Sequence, residues 1–181
     1  MGFRRRAAMR AWGRDVVREH TPAVAGLMGL REPLPRVRVH VVRRADVAAY
    51  CVRNHVLLSE PWFAEHPDDA GAVVHELSHA LLALTRIPPG TSWLLEGVAD
   101  LARNHVGLHA PWSAPHHEPG AATAGYQTTA HFLAWLEERS PGTVAHAVEQ
   151  ARRGRHDEQR FTPDGRALAD VVADYEAAQA G

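Results

Sequence analysis

The chain has 181 residues, 45% of them hydrophobic and 23% charged, which suits an ordinary globular protein with one domain and a substantial core. Its formal net charge of -1 gives no electrostatic case for nucleic acid or an acidic membrane as partner. No apolar run reaches the roughly 18 residues of a transmembrane helix, and the lone cysteine, Cys51, excludes both an intramolecular disulfide and a cysteine-built zinc site.

Met1-Gly2-Phe3-Arg4-Arg5-Arg6 has the charge of a secretion signal, but Arg10, Arg14 and Asp15 interrupt the apolar stretch that would have to follow. The start is therefore read as an amphipathic helix from about Arg5 to Arg18, and a cytoplasmic location is expected. Thr21-Pro22 is expected to open a second short helix ending near Gly29. In Arg36–Val42, Val37, Val39 and Val41 alternate with Arg36, Arg38 and His40, the period of a strand. Ala48–Val52 and His55–Leu58 read as a hairpin turning at Arg53-Asn54. Cys51 lies in this apolar run and reads as a small core residue rather than a nucleophile.

Residues Asp68 to Leu84 predict a helix that opens after Pro67 on two aspartates. Val73, Val74, Leu77, Leu81, Leu82 and Leu84 make it apolar around most of its circumference, so it belongs in a core. It carries His75-Glu76-Leu77-Ser78-His79, an H-E-x-x-H motif. Residues four apart share a helix face, so His75 and His79 can offer two imidazoles to one metal ion. Glu76 is rotated about 100° from His75, where it can take a proton from water that Zn²⁺ acidifies without itself being a ligand. Two histidines and a glutamate are costly on a buried helix unless something satisfies them, and a metal would.

After the Pro/Gly loop Thr85–Ser92, the stretch Trp93–Arg103 predicts a second helix. Glu96 and Asp100 lie four apart on one face. Glu96 is assigned as the third metal ligand, with Asp100 accepting the Nδ1–H of a ligand histidine; the rival assignment makes Asp100 the ligand. Gly97 weakens a helix interior and signals close approach by another element. The loop from Gly107 to Gly125 holds Trp112, a candidate cleft residue, and His116-His117, a candidate second metal site that more often is solvated surface. Tyr126 to Glu138 predicts the next helix. Its Tyr126 and His131 are the candidate donors to the oxyanion formed when a carbonyl is attacked. Ser140-Pro141-Gly142 is expected to start a helix to Arg153, with Pro141 in its first turn, and a last helix runs near Ala167 to Gln179.

Three ordered motifs, the first at His75–His79, the second Trp93-Leu94-Leu95-Glu96-Gly97-Val98-Ala99-Asp100 and the third Gly125–Leu136, resemble the basic secretory protein family of plants and its bacterial relatives. Phe161, Gly165 and Asp174-Tyr175 are similar to the family's closing segment, so the likeness runs from roughly Pro35 to Tyr175. The resemblance implies a zincin-type, gluzincin-like zinc metallopeptidase: His75, His79 and Glu96 as ligands of Zn²⁺, Glu76 as general base, Asp100 as support and Tyr126 as a motif residue. Plant members are secreted and basic, properties that this near-neutral chain does not share in charge and is not expected to share in export.

The fold expected is a single α+β, zincin-like domain over 1–181. It is mostly helical, with N-terminal helices at 1–30, a small sheet at 36–58 beside the metal-binding helix, and a helical part at 68–181 carrying the site. One sheet edge offers a place for an extended peptide. The expected partner is a peptide or protein substrate. Two other readings use the same residues: a zinc-stabilised structural or binding protein that has lost catalysis, and a metal-dependent hydrolase of a non-peptide amide or ester.

Overall fold

The computed structural model describes residues 2–108 and 120–180. Trp112, His116 and His117 lie outside the described residues. The elements are α1 (Gly2–Leu27), β1 (Arg38–Val42), β2 (Ala49–Val52), β3 (His55–Ser59), α2 (Glu60–Glu65), α3 (Ala70–Leu82), α4 (Ser92–His105), α5 (Tyr126–Arg139), α6 (Thr143–Arg152) and α7 (Leu168–Ala180), with 3₁₀ turns at Ala121–Thr123 and Glu158–Arg160. The fold class is α+β and mostly helical, with one small sheet towards the N-terminus, as expected. Among the described residues no helix is long and apolar enough to cross a membrane. The described chain groups into two compact units, one of residues 2–25, 31–85 and 102–108, the other of residues 26–30, 86–101 and 120–180.

The first unit holds the sheet. Its order is β1-β3-β2, with β1 parallel to β3 and β2 antiparallel to it. The expected hairpin forms as read: Arg53 adopts φ 57° in the turn, the left-handed conformation that tight hairpin turns require. Asn54 then ties the preceding chain down, its Nδ2 donating to Arg36 O at 2.7 Å while Arg38 N donates to Asn54 O at 2.9 Å. This anchoring starts β1 at Arg38 rather than at the expected Arg36. Helix α2 follows β3 directly. Ser59 Oγ caps it by accepting from Trp62 N, and Pro61 sits in the first turn. Phe63 of α2 is buried and its ring meets Trp12 of α1; Arg6 Nε donates to Glu60 Oε2 at 2.7 Å.

One expectation for the N-terminal region needs correction. One helix, not two, covers Gly2–Leu27, with Pro22 inside it. Proline removes an N–H and crowds the preceding turn, but Pro22 is exposed while Val16, Val17, Val24 and Ala25 form one buried stripe that runs past it. Burial of that stripe outweighs the local break. Thr21 Oγ1 also donates to Val17 O at 2.6 Å.

Helix α3 packs on β2 and β3. Asp69 caps its start, accepting from Ala72 N at 3.0 Å. The helix ends at Ala83, whose φ of 50° is left-handed and whose N–H bonds His79 O. Val73, Val74, Leu77 and Ala80 are all fully buried, the all-round burial that the apolar circumference predicts.

In the second unit, α5 lies against α6 and α7. The buried residues of this unit include Leu94, Val98 and Ala99 of α4, Phe132 and Leu133 of α5, Val144 and Val148 of α6, and Val171 of α7. Helix α6 begins at Thr143, later than expected, and Pro141 stands outside it. The reason lies in α5: Glu137 accepts from Gly142 N at 2.6 Å with one carboxylate oxygen and from Val144 N at 2.9 Å with the other. A carboxylate at a helix N-terminus satisfies orphan donors and suits the helix dipole, so the start is set there.

Candidate metal centre

The histidine pair is a product of α3 alone. His75 and His79 are half-buried, one turn apart, with ring centroids 5.1 Å apart and planes at 70°. Their Nε2 atoms stand 3.3 Å apart. Two nitrogens each about 2.0–2.1 Å from a shared tetrahedral ion stand roughly 3.3–3.4 Å apart, so the pair has the span that one such ion needs.

Glu76 is half-buried on the same helix. Its charge reaches Cys51 on β2: burial first, and then the Glu76 carboxylate, push the Cys51 thiol up to about 12. Cys51 Sγ donates to Arg53 O at 3.1 Å. A thiol held protonated in this way is no nucleophile at neutral pH.

Glu96 is half-buried on α4, and Asp100, one turn on, is only 5% exposed. Gly97 between them answers the close approach read from the sequence. A Cβ there would stand 2.1 Å from Thr129 Cγ2 and 2.6 Å from Thr129 Cβ, so α4 and α5 meet nearly backbone to backbone. Thr129 is itself pinned, its Oγ1 accepting from Gly125 N at 2.8 Å and donating to Ala122 O at 2.9 Å. This brace has no local sequence signal, because its partners are joined only by the fold.

Gly125 lies beside Glu96: a Cβ on it would be 3.8 Å from Glu96 Cβ. Tyr126 is therefore delivered next to the carboxylate-bearing turn of α4. It opens α5 with φ 49° and is 57% exposed. A non-glycine residue in the left-handed region costs roughly 1 kcal/mol or more and is often held for function. His131, the other candidate donor, has Nδ1 2.7 Å from the hydroxyl of Tyr175 on α7, with Phe132 and Trp135 also against the Tyr175 ring. Burial pushes Tyr175 up to about 12, so its O–H stays protonated at neutral pH.

His75, His79 and Glu96 form a group able to hold a metal ion: each offers one ligand atom, and these atoms all lie within 4.8 Å of one another. Two imidazole nitrogens and one carboxylate oxygen are the donor types that Zn²⁺ takes.

No curated protein and no solved structure matches the chain. A family model described as peptidase of plants and bacteria matches residues 28–175, a span that contains the metal group, Tyr126 and the closing helix through Tyr175. On that match, the chain belongs to the basic secretory protein family, the peptidases of plants and bacteria.

Proposed function

We propose that the protein is a zinc-dependent peptidase in which Glu76 is the general base. The observation that carries this reading is the grouping of His75, His79 and Glu96 ligand atoms within 4.8 Å, in a chain whose family is one of peptidases. His75 and His79 bind through Nε2, and Glu96 through a carboxylate oxygen. Asp100 is the acceptor that holds a ligand imidazole in the right tautomer. When bound, the zinc ion supplies Lewis-acid polarisation of a carbonyl and lowers the pKa of water.

The remaining steps belong to side chains. Glu76 takes a proton from the attacking water onto a carboxylate oxygen. The water oxygen forms a bond to the peptide carbon, and charge develops on the carbonyl oxygen, to which the Tyr126 hydroxyl donates. The C–N bond then breaks, and Glu76 returns its proton to the departing amine nitrogen. The products are a carboxylic acid and an amine, which exchange a proton in water to leave a carboxylate and an ammonium.

The test compares wild type with Glu76→Gln on an unfolded protein, reading new termini by mass spectrometry and metal by elemental analysis. The expected result is equal zinc in both proteins and a loss of cleavage by at least about 100-fold in the variant. Chelation of the wild type should abolish cleavage and lower its melting temperature, and added zinc should restore both, since a ligand of the native state stabilises it. Full turnover by Glu76→Gln, or wild type that binds no metal, would sink the reading. Cleavage of esters but not peptides would replace the substrate class.

A further inference from the structure

A second cavity has its own chemistry. About 270 Å³ in volume, it opens between α6 and the turns that follow it, lined by His146, Gln150, Arg155, Asp157, Arg160 and Thr162, with Pro163 and Gly165. It is smaller than a pocket for a drug-sized ligand. Neither guanidinium in it is neutralised: among the described residues Arg155 and Arg160 form no ion pair, whereas neighbouring Arg152 and Arg153 share Glu149 and Arg166 is paired with Asp174. This placement sets the two apart where mere number does not, since arginine is the chain's only basic residue apart from histidine.

The one acid in the lining, Asp157, is committed to structure, its Oδ1 accepting from Gln159 N at 2.9 Å as the cap of the 3₁₀ turn. The last carbonyls of α6, which would repel an anion, are also taken: Glu149 O by Arg153 N, Gln150 O by Arg155 N and Ala151 O by Gly154 N. The lining therefore sets two guanidiniums against the single Asp157 carboxylate, with the His146 imidazole and the Gln150 amide beside them. Guanidinium forks bind phosphate oxygens in pairs, and two of them suit a dianion better than a single carboxylate.

We infer that this cavity is a binding site for a phosphate dianion, either free phosphate or a small phosphate monoester, held by Arg155 and Arg160 with His146 and Gln150 as further donors. The inference is independent of the zinc chemistry.

The test titrates the full chain at low ionic strength with inorganic phosphate and, separately, with free phosphoserine, following backbone amides by NMR. The expected result is saturable binding with shifts concentrated in residues 146–165. Arg155→Gln/Arg160→Gln should weaken it at least about ten-fold, while Arg152→Gln, at a residue already paired with Glu149, should change it little. Both cavity arginines are exposed, so the double variant should melt like wild type. Tighter binding of phosphoserine identifies a monoester, and tighter binding of phosphate the free ion. Shifts that never saturate, or equal weakening by Arg152→Gln, would show diffuse charge attraction and overturn the site.

Discussion

Gly97→Ala tests the packing that carries Glu96. The new methyl would stand 2.1 Å from Thr129 Cγ2 and 2.6 Å from Thr129 Cβ. Rotating Thr129 moves Cγ2 but not Cβ, and it breaks the two hydrogen bonds of Oγ1 to Gly125 and Ala122. The strain of overpacking is about 1–3 kcal/mol, and each buried hydrogen bond lost adds about 1 kcal/mol. Against this, alanine gains roughly 1 kcal/mol over glycine in a helix interior. The expected net loss is about 2 kcal/mol, read as a drop in the urea midpoint. Thr129→Ser keeps the hydroxyl and removes the methyl at 2.1 Å, so in the double variant it should recover part of the loss, with a coupling above about 0.5 kcal/mol. A Gly97→Ala protein as stable as wild type, or a cycle without coupling, would refute the claim that this glycine exists for close approach.

Cys51 should resist thiol reagents. With its thiol pushed up to about 12, first by burial and then by Glu76, labelling at pH 8 should be slower than for a free cysteine by on the order of a thousand-fold. It should also quicken in Glu76→Gln; labelling at the free-cysteine rate would contradict the account. His40 predicts a pH dependence. Its Nε2 lies 2.8 Å from His55 Nδ1, and burial, His55, Arg10 of α1 and Arg38 of β1 all lower it, in that order. A folded-state value below the unfolded one means that the unfolded chain takes up the proton more readily. The contribution is therefore present above the unfolded value near pH 6.5 and lost as pH falls through the folded value. The melting temperature should drop between about pH 7 and pH 5, and His40→Gln should flatten that drop; parallel curves for both proteins would count against it.

What was legible in the sequence was what local geometry controls. An H-E-x-x-H spacing, an aspartate cap and an apolar circumference act within one helix, so α3 and its histidine pair could be read directly. Gly97 declared that something comes close, but not that Thr129 does, because their contact exists only after folding. Alternation of valines identified β1, yet strand order is decided by pairing, and nothing in the chain announces that β3 sits centrally with β1 parallel to it. Pro22 misled in the opposite direction, since a tertiary stripe overrode a local break. Helix α2 had a readable start in Ser59-Glu60-Pro61 and went unread because six residues carry little periodicity.

Helix α6 illustrates a dependence with consequences for recombination. Gly142, at its start, has no side chain to cap with, and the two orphan N–H groups are held by Glu137 from the helix before it. The start instruction for one helix is thus written in its predecessor. A splice, insertion or circular permutation between α5 and α6 leaves each helix its full sequence while tying that instruction to a neighbour it must still find, so the two helices travel as one inheritable piece.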